Sequence, residues 1–190
     1  MGFRTCINAS IFYDNVRVPK EYRLIGPGAD ANFYYALMAA SQCHCGNLSL
    51  GISQAAFDIA LDYTKERKSG GKPVREWSLA AGVLAEMAMR VELSRGALYN
   101  YAWMLDHHDF YGPPFQKGMS SKAAITRAYS VDAAVWIANK AMELLGSNGL
   151  SPEYHLEKYL RDSKVPQLVL GGQQVARYRI AQGYYDYVVG

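Results

Sequence analysis

The chain has 190 residues, 50% of them hydrophobic and 19% charged, with a formal net charge of +3. That is enough for one domain with its own core, and it is not the composition of a disordered chain. Lys and Arg are interspersed rather than gathered on one face, which argues against nucleic-acid binding, and no window approaches the roughly 20 apolar residues of a membrane span.

From the amino terminus, Ile7, Ala9, Ile11 and Tyr13 alternate with polar or outward positions, as do Val16 and Val18 before Pro19, a strand pattern. Residues 1–29 are therefore expected to hold one or two short strands and a Gly-Pro-Gly linker, and residues 30–190 a helical-bundle domain. Helical periodicity begins near Ala31, with Leu48, Ile52, Ala55 and Ile59 on one stripe and an end near Ser69-Gly70-Gly71. A second helix follows Pro73, carrying Leu84, Met87, Val91, Leu98, Ala102 and Leu105, and Gly112-Pro113-Pro114 closes it. The third alternates steps of four and three through Ala124, Ala128, Val131, Val135, Ala138, Met142 and Leu145. Ser151 with Pro152 reads as the cap and first position of a fourth helix, and Gln173–Tyr187 as a fifth. Long helices joined by short links make an all-α fold, an antiparallel up-down bundle. One or two strands cannot form a stable sheet alone, so a further domain or another chain is expected to complete them.

Few residues offer chemistry by type and spacing. Cys6, Cys43 and Cys45 have no zinc spacing and read as reduced thiols, so no metal site is expected. His44 reads as a packed histidine, His107 and His108 with Asp106 and Asp109 as a solvated helix end, and Asp162 as a partner of Arg161 or a cap. The amino terminus lacks the apolar run of a signal peptide.

Four stretches in order carry a resemblance: Phe12–Pro19, Tyr63–Gly71, Leu84–Met89 and, most informative, Glu143–Arg177. Together they resemble the carboxy-terminal helical bundle of the acyl-CoA dehydrogenases, with that family's amino-terminal domain and most of its middle β-domain absent. The resemblance implies an FAD-dependent oxidation of the CH–CH bond of acyl-CoA, carried out as part of a larger chain or complex. It implies FAD contacts from Arg67 on the pyrophosphate, with the hydroxyl of Ser69 assisting. It also implies contacts from Glu143, Gly146 and Ser147, whose backbone lies against a partner's cofactor, from Gly172, and from Gln174 near the adenine end. Gly70, Ser78 and Gly172 replace a phenylalanine, a glutamine and a threonine of the family pattern.

The family's catalytic glutamate position holds Leu170, and the alternative position on the first bundle helix holds Ser41, followed by Gln42 instead of arginine. No catalytic residue is thus assigned. A general base for α-proton abstraction must be a titratable group within hydrogen-bond reach, which leucine is not. The alternative is a non-catalytic bundle that serves assembly. The implied partners are further copies of the chain (a dimer or tetramer) or a heteromeric flavoprotein partner, with acyl-CoA as the small molecule. The implied setting is the cytoplasm, or the mitochondrial matrix in a eukaryote.

Overall fold

A computed structural model describes residues 1–185. The elements are helix α1 (Asp30–Glu66), a hairpin of β1 (Lys68–Ser69) and β2 (Lys72–Pro73), and helices α2 (Ser78–Asp106), α3 (His108–Tyr111), α4 (Lys117–Leu145), α5 (Leu156–Leu168) and α6 (Gly172–Gln182). The all-α bundle expected from periodicity is the fold, and the three long helices fall close to where the apolar repeats place them. No helix among the described residues is long and apolar enough to cross a membrane.

Helix α4 is the axis of the bundle. Its expected seam is there, with Ala124, Val131, Ala138 and Leu145 all buried. Burial continues around the helix to Ala123, Ser130, Ala133, Ala134, Ile137 and Ala141, because α1, α2, α5 and α6 all pack against it. The apolar core is made by Leu84, Met87 and Val91 of α2, Ile137, Ala141 and Leu145 of α4, and Leu156 of α5.

The face α1 turns to α4 is not the expected one. Leu48 is exposed and Ile52, Ala55 and Ile59 are only partly covered, while Gln42, Cys45, Gly46, Ser49, Ser53, Ala56, Ala60 and Thr64 are buried. Small side chains on α1 meet the alanines of α4, so the two backbones approach closely. A Cβ on Gly46 would lie 3.5 Å from the Thr126 carbonyl oxygen of α4 and 2.9 Å from the Leu98 side chain of α2. The hydroxyl-bearing members do not need outside partners, because Ser49, Ser53 and Thr64 donate to carbonyls one turn back at 2.7–2.8 Å. A reading that ranked positions by hydrophobicity therefore chose the wrong stripe.

Three boundaries also differ. Ser151 does cap, accepting the Glu153 N–H at 3.4 Å, but only a 3-10 turn over Pro152–Tyr154. His155, at φ 57°, then breaks the chain direction and α5 starts at Leu156. Helix α6 begins at Gly172 and ends at Gln182; Tyr187 lies outside the described residues.

Residues 7–18 form no ladder, and Ile7, Ile11, Phe12, Tyr13, Val16 and Val18 are exposed. The only paired strands among the described residues are β1 and β2. The alternating sequence is present but its backbone N–H and C=O groups have no neighbouring strand to meet. Just before it the chain is anchored: Phe3 N–H donates to Asp162 Oδ1 at 2.7 Å, and a Cβ on Gly2 would lie 2.2 Å from the Arg161 carbonyl oxygen. Asp162 pairs with Lys158 at 2.6 Å, and Arg161 with Glu157, so the expected Asp162–Arg161 pair is replaced by two pairs at i, i+4 spacing on α5. Burial pushes the Asp162 carboxyl up, but Lys158 and the Phe3 N–H outweigh it and hold the group below its ordinary range.

Candidate functional site

The first half of the site forms where α1 ends. Arg67 caps the helix, its N–H donating to Tyr63 O and its carbonyl accepting from Val74 N–H, both at 2.8 Å. The β1–β2 hairpin follows, turning on Gly70 and Gly71 with φ of 57° and 85°, left-handed values that two-residue hairpin loops require. Trp77 braces it: the indole N–H donates to Ser69 O at 3.1 Å, and Lys72 Nζ sits 4.2 Å above the ring. A Cβ at residue 70 would meet that ring at 2.9 Å. Trp77 thus puts its aromatic ring beside Gly70, the position that in the resembled pattern is a phenylalanine.

The second wall is the end of α4. Gly146, at φ 61°, stops the helix, and a 3-10 turn runs from it to Leu150. Gly149 is confined, since a Cβ there would lie 2.5 Å from Met142 O. Asn148 Nδ2 donates to Tyr63 OH at 3.0 Å, which ties the two walls together, and Tyr63 meets Tyr154 edge-on at 5.7 Å. The result is a cleft of about 320 Å³ lined by Arg67, Ser69, Glu143, Gly146 and Ser147 together with Tyr63 and Asn148. A groove of about 510 Å³ continues past Arg67 to Ile59, Asp62 and Tyr154.

The electrostatics of this cleft favour an anion. Glu143 is the carboxylate in its wall, and Lys140 (2.5 Å) and Asn139 (2.7 Å) engage it. The Lys140 hydrogen bond, ahead of the Asn139 one, holds its carboxyl below the usual range, so it stays ionised and paired. Arg67 is exposed and its guanidinium makes no ion pair among the described residues, although Asp62 and Glu66 stand close by on the same helix. A planar cation free of a carboxylate at a cleft mouth is suited to a phosphate group.

Gly172 and Gln174 are elsewhere. They begin α6, and the Gly172 carbonyl is bound by Arg127 at 2.9 Å. Arg127 and Glu143 share helix α4, 16 positions apart, so the two halves are separated by about 24 Å at 1.5 Å per residue. Five of the seven expected cofactor residues are thus brought together and two are not.

The loop at Gly172 has a centre that sequence reasoning missed. Arg127 is fully buried, and its guanidinium donates to Pro166 O (2.9 Å), Val169 O (2.6 Å) and Gly172 O (2.9 Å). It caps the carboxy-terminal end of α5, where unpaired carbonyls and the helix dipole both call for a cation. Gln173 Nε2 donates to Ala128 O at 2.8 Å, and Asp132 receives Gln167 at 2.7 Å and Arg177 at 3.0 Å. These bonds fasten the turn Val169–Gly172 to α4. Within it Leu170, Gly171 and Gly172 have φ of 54°, 83° and 72°, and a leucine in that region is strained. The carboxylate in this network, Asp132, is occupied by its two partners. A signal for Arg127 did exist: position 127 falls on the seam between Ala124 and Val131, and a cation there must have buried acceptors.

The remaining candidates do not converge. Ser41 donates to Leu37 O at 2.8 Å, Gln42 is buried, and His44 faces outward instead of packing inside. His107 stacks on Trp103 with ring centres 4.2 Å apart. Among the described residues no three of His, Cys, Asp and Glu come together as a metal site would require.

The fold and the cleft define a helical domain with an arginine-lined cleft at one end of a bundle and a strained, pinned turn at the other. Residues 36–185 match the family model described as "Acyl-CoA dehydrogenase, C-terminal domain", and the chain belongs to that family. It is 32% identical over 182 residues to the probable acyl-CoA dehydrogenase YngJ of Bacillus subtilis, covering 96% of this chain and 46% of that protein. It is 27% identical over 177 residues to the cyclohex-1-ene-1-carbonyl-CoA dehydrogenase of Syntrophus aciditrophicus, covering 93% of this chain and 41% of that one. The structure of a glutaryl-coenzyme A dehydrogenase in complex with glutaryl-CoA superimposes with a TM-score of 0.80 at 30% identity, over 90% of this chain and 41% of that one. The chain thus spans less than half the length of these relatives.

Proposed function

We propose that this chain is the helical domain of an FAD-dependent oxidoreductase acting on the CH–CH bond of an acyl-CoA, functioning as part of a larger chain or complex. The observation that carries this reading is the cleft in which Arg67, Ser69 and the turn Glu143–Ser147 meet, with one unpaired guanidinium and its only wall carboxylate already neutralised. On this reading Arg67 and the Ser69 hydroxyl hold the pyrophosphate, and Gly146 and Ser147 lie against the dinucleotide. Bound FAD would supply the hydride acceptor. Gly172 and Gln174, about 24 Å along α4, belong to a second cofactor contact, so one dinucleotide takes its two sets of residues from two protomers or from a partner flavoprotein. The setting that goes with this reading is the cytoplasm, or the mitochondrial matrix in a eukaryote.

The test is FAD affinity. Arg67→Ala weakens it by about 2–5 kcal/mol, the cost of removing one member of a desolvated charge pair, while Lys68→Ala, in strand β1 and outside the cleft lining, leaves it nearly unchanged. Equal affinities in the two variants would remove the cofactor role of Arg67.

A second reading is favoured by Leu170. With a strained leucine at the base position and Asp132 engaged, the turn offers no proton acceptor, so the chain serves assembly rather than chemistry. Anaerobic mixing with FAD and a panel of acyl-CoAs tests the assembly reading. On the assembly reading neither the wild type nor Leu170→Glu bleaches the flavin, because an unsheltered glutamate titrates near 4.3 and positioning errors of about 1 Å cost roughly a hundredfold. Flavin reduction by the wild type would end that reading.

A further inference from the structure

Residues 1–6 lie across α5, and their hydrogen bonds to the bundle fall on one turn of that helix. Arg161 Nη1 donates to the Met1 carbonyl at 2.9 Å, and the Phe3 N–H donates to Asp162 Oδ1 at 2.7 Å. Gly2 runs backbone on backbone between them; a Cβ there would strike the Arg161 carbonyl and stand 2.8 Å from Asp162 Cα. Phe3, at φ 47°, then turns the chain away, and the Cys6 N–H closes the turn on the Phe3 carbonyl at 2.8 Å. Over residues 7–18 no backbone–backbone hydrogen bond is made among the described residues. The segment thus has one point of attachment, and it has something beneath it. Phe3, Arg4 and Thr5 form one side of a groove of about 440 Å³, and Leu48 and Ile52 of α1 with Tyr159 of α5 form the other. Leu48 and Ile52 belong to the apolar stripe of α1 that does not face α4.

We propose that residues 1–6 are a strap that opens and closes over this apolar floor, with Asp162 as its latch. What marks the contact as releasable is that both fastening side chains keep a partner on α5 when the strap leaves. Asp162 is 6% exposed, and while Oδ1 takes the strap, Oδ2 takes Lys158 Nζ at 2.6 Å. Arg161 holds Glu157 through Nε at 2.7 Å and Nη2 at 3.1 Å, which leaves Nη1 for Met1. Opening therefore gives up charged hydrogen bonds but strands no unpaired charge, the event that makes breaking a buried pair so unfavourable. The site on α5 is preformed and stays in place for reclosing. The charged groups acting on Asp162 are Lys158 and Arg161 of α5, with Arg4 of the strap acting on Glu157; α1 brings only Leu48 and Ile52 to the groove. Burial pushes the Asp162 carboxyl up, but Lys158 and the Phe3 N–H hold it below its ordinary range. The latch is accordingly shut through neutral pH and loosens only as pH falls through that depressed value. At neutral pH the pull that opens it comes through residues 7–18, which follow the strap directly. The inference needs neither FAD nor the Arg67 cleft, and it stands or falls apart from the cofactor reading.

The test is amide exchange in the full chain, read residue by residue. The Phe3 amide is protected on the order of 10–100-fold over the free-chain rate, the factor for a charged hydrogen bond. Its exchange does not respond to low urea, as befits a local opening, whereas amides in the middle of α4 exchange through global unfolding and do respond. Gly2→Val, whose side chain meets the Arg161 carbonyl and nothing in the core, brings Phe3 to the free-chain rate and leaves α4 unchanged. Asp162→Asn, which keeps the acceptor oxygen without its charge, speeds Phe3 exchange by on the order of tenfold. The cover is read by a thiol on the floor. In a chain carrying Cys6→Ser, to remove the exposed thiol, and Ile52→Cys, alkylation at position 52 is several-fold faster once Gly2→Val is added. Phe3 exchange that tracks α4 in urea would make residues 1–6 a fixed part of the bundle. A wild-type Phe3 amide at the free-chain rate would leave no latch, and alkylation at position 52 indifferent to Gly2→Val would leave no cover. Any one of these three results overturns the proposal.

Discussion

Replacing Arg127 with methionine should be the most damaging single change away from the apolar core. The side chain is fully buried and donates to three carbonyl oxygens, those of Pro166, Val169 and Gly172. A charged hydrogen bond contributes about 1.5–3 kcal/mol, so three would nominally total about 4.5–9. Part of that is returned, because methionine removes a cation whose own burial is unfavourable, as the depression of its pKa by burial indicates. The carbonyls, however, stay behind with no donor. Where one partner of a buried charged network is deleted the net cost is about 3–5 kcal/mol, against a typical whole-domain stability of about 5–15. We expect Arg127→Met to lose about 3–5 kcal/mol in urea denaturation with an unchanged slope, and Arg127→Lys, with its charge kept but its fork lost, to lie between. Amide exchange at 169–173 should rise in Arg127→Lys well before exchange in α2 does. If Arg127→Met retains stability within about 1 kcal/mol of wild type, the carbonyl cage is not what holds the turn.

Two further outcomes follow from buried titrating groups. Burial pushes the Tyr101 hydroxyl up to about 12, so the native state keeps its proton where the unfolded chain, near 10, has lost it. That stability is complete below pH 10 and falls by roughly 2–3 kcal/mol as pH rises to 12, while Tyr101→Phe, which also removes an unpartnered hydroxyl, abolishes the alkaline loss without weakening the fold at pH 7. Burial likewise pushes the Cys43 and Cys45 thiols up, with Asn47 and Arg127 respectively only partly offsetting it, so both stay protonated at pH 8. Native-state alkylation should therefore mark Cys6 first and the other two slowly, and equal rates for all three would contradict the burial of Cys45.

How much of this could be read beforehand depended on what each element asks of its residues. Helix α4 was legible because large and small apolar residues repeat along it without interruption. Helix α1 misled because its buried stripe is made of Ala, Ser and Thr, whose value lies in thinness and in hydroxyls that bond back to their own helix. The cleft residues Arg67, Ser69 and Glu143–Ser147 were nameable from the family resemblance, but their meeting depends on Tyr63 and Asn148, whose hydrogen bond crosses 85 positions. Residues 7–18 show the converse. Alternation states a willingness to pair and says nothing about whether a neighbouring strand is present.

The small-residue face between α1 and α4 also sets an order of events during synthesis. Helix α1 is complete at Glu66, but the helix that covers Ser49, Ser53, Ala56 and Ala60 ends at Leu145. Roughly 80 residues must be added before that cover exists, about 4–16 s at common elongation rates. Meanwhile α2 can fold back on α1 locally, yet the most extensive contact in the bundle must wait for chain closure over all of α2. A nascent chain of this kind leaves α1 with its narrowest face bare for seconds. That face is poor in the bulky side chains that chaperones and neighbouring chains most readily grasp, so a helix built to be thin is also one that can wait.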